Sequence, residues 1–426
     1  MKNTDGAPLT RRERITAQLF LLTVFFVAFS TALTNIFVAL TLLAFVAAMW
    51  GNPALRRPLR SPPVLWGLGL LLLLVVGVSW SIAPQPDIDT ALRKYAKLLV
   101  LPVGICLGGR IPGLGMRALR YVLAGTAWLA GAIYLAWLGW MPVSKLGLWS
   151  VGSASDPVVF RNHITVGILL GFAANLSFLA ASYRKTRPAQ LRALAAGLYF
   201  TVPTVYLLQG RTGYVALFIG LVAVFLLRNR VTPLRTLAGM AAITLLFAGF
   251  YAASPNFQAR TDALMSEVRS GDPRTPNGQR LSFMRVGLQA VADSPVVGLG
   301  TGSFAEAYED TARRIWAPTV GAAIPRNQPH SEFLLIATQL GLAGFAVYLG
   351  MLASIGRAAL TQRSFETDAL ALLWLIYVVA STFNSLLWDP TEGYWFLLLA
   401  GSLYADCMRR ELAVPSPVPI PVASHA

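Results

Sequence analysis

An all-α integral membrane protein with about twelve transmembrane helices is the fold class that the sequence predicts, and three observations carry it. The chain of 426 residues is 55% apolar and only 13% charged, with a mean hydropathy of +0.59, values that suit a chain solvated by lipid. Apolar runs approaching the ~20 residues needed to cross ~30 Å of hydrocarbon recur from residue 16 to residue 408. Those runs are rich in Leu, Ala and Gly, and because lipid offers no partner to a bare peptide group they read as helices.

In order, the predicted spans are 16–31, 33–50, 64–82, 92–109, 115–139, 162–182, 191–208, 212–228, 236–253, 331–351, 368–387 and 392–408. The first two share one apolar run, broken only near Ser30 to Asn35, and its length requires a tight hairpin there. Four regions follow: nine helices over 1–253, a large polar loop region containing amphipathic helices over 254–329, three last helices over 330–410 and a disordered tail over 411–426. The tail, PSPVPIPVASHA after a short lead, is proline-rich and reads as extended chain.

Charge placement sets the expected orientation. With both termini in the cytoplasm, 21 of the 35 basic residues fall on the short inside segments, while the six outside segments share 14, eight of them in the long loop. Retention of Lys and Arg inside therefore places the long loop outside. The same scatter explains the net charge of +16 and argues against nucleic acid as a partner, since no basic patch interleaved with aromatics is present. Membrane lipids are the expected surroundings. Cys106 and Cys407 fall near cytoplasmic helix ends and give no disulfide framework. The first span lacks a small-residue cleavage signature and reads as retained.

Charges deep within the predicted spans are almost absent; Arg93, Lys94 and Lys97 lie near the outer end of the fourth, and Arg161 stands at the mouth of the sixth. A proton-driven transporter would bury carboxylates at mid-membrane. Here the carboxylates lie almost entirely outside it, which favours chemistry at the outer interface.

His330 is the first candidate for that chemistry. It stands in PHSEF, where the long loop re-enters the membrane behind Pro329, and either it or Ser331 could cap the helix that follows. Imidazole can take and return a proton near neutrality, so His330 reads either as a general base or as an interfacial cap. Arg211 is the second, in a turn (Gln209, Gly210, Arg211) too short to be freely solvated; its fork suits phosphate oxygens or lipid headgroups. Arg280 and Arg285 are the third element. They lie on RLSFMRVGLQAVAD, where Leu281, Met284, Leu288 and Val291 form a helical stripe, so an amphipathic surface helix beginning at Arg280 is expected. The GLGTG that follows reads as a flexible turn, and without a preceding strand or a Lys-Ser/Thr it supports no nucleotide fold.

Arg161, Asn162 and His163 make a further polar cluster, and Asp156, Asp389 and Glu392 are outer carboxylates able to orient a histidine or a sugar. No paired-aspartate, HExxH or Cys/His ligand set appears, so no metal site is expected. Arginines beside one titratable base at a lipid-exposed face suit attack on a membrane-anchored phosphate ester. The arginines offset charge on the leaving phosphate and the histidine deprotonates the incoming hydroxyl.

On these residues the chain resembles the O-antigen ligase family, within the superfamily shared with O-antigen polymerases and bacterial O-oligosaccharyltransferases. The family's motif of His, then Asn, Ser or Gln, nine residues and Gly is matched by His330, Ser331 and Gly341, with Gly344 also fitting. Its arginine-glycine turn resembles Arg211-Thr212-Gly213, its loop arginine resembles Arg280, and the likeness spans about residues 20 to 408. The resemblance implies a GT-C-like glycosyltransferase in the bacterial inner membrane, with its active site facing the periplasm and no metal or other cofactor. It implies inverting transfer of O-antigen polysaccharide from undecaprenyl pyrophosphate to a sugar of lipid A-core. Arg211 and Arg280 would bind the pyrophosphate, with Arg161, Arg285 or Asp389 assisting, and His330 would be the base. O-antigen polymerase, protein O-oligosaccharyltransferase and a non-enzymatic exporter of lipid-linked glycan are the alternatives.

Overall fold

A computed structural model describes residues 8–141, 151–153, 156–228, 233–270, 275–315, 328–361 and 363–413. The described chain is almost entirely helical, with one departure from the all-α expectation: strands β1 (Val151–Ser153) and β2 (Asp156–Val159) pair antiparallel just before the residue-163 helix. The first half runs through α1 (Arg11–Phe26), α2 (Thr31–Met49), α3 (Pro53–Arg56), α4 (Pro62–Val76), α5 (Gln85–Tyr95), α6 (Val100–Arg110), α7 (Leu114–Trp137), α8 (His163–Tyr183), α9 (Arg187–Val202) and α10 (Arg211–Arg228). The second half comprises α11 (Pro233–Ala253), α12 (Pro255–Ser270), α13 (Pro276–Asp293), α14 (Phe304–Ile315), α15 (Glu332–Ala359), α16 (Phe365–Ser381) and α17 (Pro390–Ala413). Residues 414–426, most of the expected disordered tail, lie outside the described residues, and 411–413 complete α17.

Six helices among the described residues are long and apolar enough to cross a membrane, or seven if the bent pair α11–α12 counts as one span. They coincide with the predicted spans at 33–50, 64–82, 115–139, 162–182, 212–228 and 331–351, and the bent pair with 236–253. The other five predicted spans also fall on helix, but α1 and α16 have 16 and 17 residues, and the 92–109 region is divided between α5, a short tight turn and α6. The expected hairpin near Ser30 is present: α1 ends at Phe26, and the Ser30 side chain accepts the Leu33 N–H to start α2.

Packing relies on small residues where backbones must approach, as expected where lipid removes the hydrophobic drive between helices. A Cβ on Gly213 of α10 would sit 2.8 Å from the Gly167 Cα of α8, which gives the glycine of Arg-Thr-Gly a packing role. Behind that contact the bundle is filled by aromatics, with Tyr377 of α16 stacked on Phe396 of α17 at 3.6 Å between centroids and buried Trp395 set edge-on against Phe172.

Among the described residues, three helices, α12, α13 and α14, occupy the long polar region. Helix α12 turns away from α11 by 105° at Ser254-Pro255, and α13 is started by Thr275, whose side chain accepts the Gly278 N–H, with Pro276 in the first turn. The helix thus begins four residues before Arg280, which lies one turn inside it. Its buried face is Ser282, Phe283, Val286, Gly287 and Ala290; the predicted stripe has the right period but lies on the opposite side, with Leu281, Met284 and Leu288 exposed.

GLGTG is a packed junction rather than a flexible turn. Helix α15 breaks at Gly341, whose φ of 61° and ψ of −160° interrupt the hydrogen-bond ladder. The orphaned groups are taken up by the 294–302 segment: Leu299 and Gly300 donate to the carbonyls of Thr338 and Gln339 (3.0 and 2.8 Å), while Leu342 and Ala343 donate to those of Pro295 and Val296 (2.8 and 3.1 Å). The other side of the segment is tied to the end of α4, where the Thr301 N–H donates to the Gly77 carbonyl and the Ser81 hydroxyl to the Thr301 carbonyl.

Candidate functional site

A cavity of about 650 Å³ opens between α10, α12, α13 and α15. Arg211, Asn277, Arg280, His330 and Ser331 supply polar atoms, and the rest of the wall is largely apolar, including Met284 and Leu288 of α13 and Leu342 and Phe345 of α15. The exposed stripe of α13 is therefore a cavity wall.

Arg211 is the first residue of α10, held there by Gly210, where a Cβ would come within 2.8 Å of the His163 carbonyl oxygen. Its guanidinium donates from Nη1 and Nη2 to the two carboxylate oxygens of Glu267 on α12, at 3.1 and 2.9 Å. Glu267 also accepts from the backbone N–H and side-chain amide of Asn277 at the start of α13, at 3.2 and 2.6 Å. Arg280 reaches the same region. Burial, then the nearby Arg211, lower its pKa from the ordinary value, and Glu267 partly offsets them.

His330 stands at the head of α15 in the left-handed region, with φ of 53°, an uncommon conformation for a residue with a side chain. Ser331 and not His330 is the cap: its hydroxyl accepts the Leu334 N–H. The imidazole lies 5.9 Å from the Phe283 ring, centroid to centroid, and its Nδ1 is buried without a hydrogen bond to the described residues. Burial first, and then the Arg280 charge, hold its pKa below the ordinary value, so the ring is neutral and able to accept a proton at pH 7.

The remaining predicted residues are placed elsewhere. Arg285 is exposed on α13 and does not line the cavity, so Arg280 is the one that faces it. Arg161 donates to the Thr31 hydroxyl and the Val27 carbonyl, which spends it on the α1–α2 hairpin. His163 pairs with Asp156 at 3.0 Å. Asp389 belongs to a separate buried cluster, where its carbonyl accepts from Lys97 Nζ at 2.7 Å, and Glu392 accepts from the Thr165 hydroxyl.

Two carboxylates escaped sequence reasoning. Glu267 was one polar residue among many in the loop region, and only the approach of α12 to α10 gives it meaning. Glu332, fully buried two residues after His330, accepts from the Leu387 and Trp388 N–H groups (2.7 and 3.0 Å) and the Tyr95 hydroxyl (3.0 Å) and so fixes the start of α15. Its signal was an acid inside an otherwise apolar helix start. Among the described residues no group of three or more His, Cys, Asp or Glu is arranged to hold a metal ion.

Chemically, the arrangement combines fixed cations, a neutral imidazole and an apolar wall in one space, which suits an anionic head attached to an apolar tail. No curated protein matches the chain. A family model described as O-antigen ligase matches residues 195–349, a narrower stretch than the 20–408 of the motif resemblance. It contains Arg211, Glu267, Arg280, His330 and Gly341, and leaves Arg161 and Asp389 outside. Arg211, Arg280 and His330 at the cavity, and Gly341 with the 294–302 segment it bonds to, thus fall within the matched stretch, and the chain carries an O-antigen ligase family domain over residues 195–349.

Proposed function

We propose that this protein is an inverting, metal-independent glycosyltransferase of the bacterial inner membrane. In this reading it moves O-antigen polysaccharide from undecaprenyl pyrophosphate to a sugar hydroxyl of lipid A-core. The observation that carries the reading is the convergence of Arg211, Arg280 and His330 on one cavity whose remaining wall is apolar. It also takes twelve spans, cytoplasmic termini and an outward-facing 254–329 region from the pattern of spans and basic residues, and the GT-C-like architecture and the periplasm from the family resemblance.

Arg211 and Arg280 hold the diphosphate and His330 faces the acceptor hydroxyl. As that oxygen attacks the anomeric carbon its proton passes to His330, the bond to the diphosphate oxygen breaks, and the arginines take up the charge released. The described lining of the cavity contains no carboxylate, the usual glycosyl nucleophile, which supports a single displacement with inversion.

Replacing Arg211 tests the phosphate assignment. Lysine keeps the charge but not the fork, so Arg211→Lys is expected to lower kcat/KM about ten- to hundredfold, the scale of a charge-assisted hydrogen bond. Arg285→Lys, exposed and outside the cavity, should stay within about twofold of wild type. Near-normal transfer by Arg211→Lys would return Arg211 to a packing role.

The acceptor is tested by incubating purified protein and lipid-linked O-glycan, in separate tubes, with lipid A-core, a second lipid-linked repeat or an acceptor peptide. Product only with lipid A-core is expected. Product only with the second repeat would make the protein a polymerase, product only with peptide a protein glycosyltransferase, and no product in any tube would point to an exporter.

A further inference from the structure

Arg211 and Arg280 present a physical difficulty. Two guanidinium groups share one wall of a partly apolar cavity, and their like charges repel. Glu267 resolves it. Its carboxylate takes Arg211 through both terminal nitrogens, and its near neighbours on α12, Leu264 and Val268, line the cavity while Glu267 does not. A guanidinium held at its two ends still has Nε–H and the outer protons of Nη1 and Nη2 to offer. The same carboxylate accepts from the Asn277 backbone and side chain in the first turn of α13, three residues before Arg280. One side chain thus fixes the plane of the first arginine and the helix that carries the second.

We propose that Glu267 is the positioning residue of the pyrophosphate site, acting through Arg211 and α13 without touching the substrate. The inference rests on the functional reading above and deepens it. It differs in sign from the simplest electrostatic expectation. A carboxylate that merely competed with diphosphate for Arg211 would, once neutralised, leave a site that binds the anion more tightly; a positioning carboxylate leaves one that binds it less well.

The test uses full-length protein in lipid nanodiscs, with inorganic pyrophosphate as the probe and transfer from the lipid-linked donor as the activity. Glu267→Gln should weaken inhibition by pyrophosphate and lower kcat/KM about ten- to hundredfold, the scale of one bidentate charged contact. Most of that loss should fall in the donor KM. In an Arg211→Lys background the same substitution should cost clearly less than it does alone, because the Arg211 contact is already broken and only the hold on Asn277 and α13 is left to weaken. Glu267→Asp, which keeps the charge at a shorter reach, should lie between glutamine and wild type, and serves the same cycle if the glutamine variant does not fold. Tighter pyrophosphate inhibition by Glu267→Gln, wild-type kinetics in both variants, or an undiminished loss in the Arg211→Lys background would each overturn the proposal. Wild-type protein that transfers no glycan and is indifferent to pyrophosphate would overturn the functional reading on which it stands.

Discussion

His330→Ala is expected to leave donor binding nearly intact while slowing single-turnover transfer about 10²- to 10⁴-fold, the usual worth of general-base help. The arginines hold the diphosphate in the ground state, whereas the base is needed only as the acceptor hydroxyl begins its attack. Because His330 occupies left-handed backbone, His330→Asn is the better-behaved companion variant: asparagine tolerates that conformation and cannot serve as the base. In the wild type, falling pH protonates the imidazole and stops it accepting a proton, so the rate declines on the acid side. Burial and Arg280 lower the imidazole pKa, which puts that decline below the ordinary value of about 6.5. Arg280→Gln should move it back toward that value. Equal turnover in both His330 variants would remove the residue as base, and loss of donor binding in a folded variant would make it a diphosphate ligand.

Gly341→Ala should be the most damaging single methyl group in the α15 region. Its φ and ψ belong to a region that only glycine occupies comfortably, and a Cβ there would lie 2.4 Å from the carbonyl carbon and oxygen of Val296. Relieving that overlap separates α15 from the 294–302 segment and endangers the four backbone hydrogen bonds between them. Strain of about 1–3 kcal/mol and about 0.5–1.5 kcal/mol for each bond lost together reach several kcal/mol, a large part of an ordinary folding free energy of about 5–15 kcal/mol. Gly69→Ala is the control, since its Cβ would meet only Val347 Cγ1 at an ordinary 3.7 Å. Thermal unfolding of the purified variants decides: a Gly341→Ala midpoint equal to that of Gly69→Ala would show that the junction yields without cost.

The two variants mark what could and could not be seen in the sequence. Apolar runs and capping residues made the helices legible, because hydrophobic length and local hydrogen bonding are properties of short stretches. Arg211, Arg280 and His330 were legible as chemical types at the borders of apolar runs. Their convergence was not, since it depends on α12 and α13 folding back on α10 and α15. Periodicity found the stripe through Leu281, Met284 and Leu288 but could not tell a face packed on a core from one lining a cavity. Gly341 was visible as a spacing after His330; the backbone exchange that requires glycine there joins residues some forty positions apart. For the same reason GLGTG looked flexible, its composition being that of a turn while its burial is a tertiary property. Arg161 shows the converse: its type suited phosphate, and the α1–α2 hairpin took up both of its terminal nitrogens.

The apolar wall of the cavity has a kinetic consequence. Met284, Leu288, Leu342 and Phe383 are each about half exposed, at 50, 59, 57 and 53%, so the cavity is open along its greasy side. In the proposed membrane setting, a prenyl chain can slide in sideways while its charged head travels along the interface toward the arginines. Encounter is then a search in two dimensions. Its frequency follows the number of donor molecules per unit area of leaflet, and diluting the protein and its membrane together in buffer leaves that frequency unchanged.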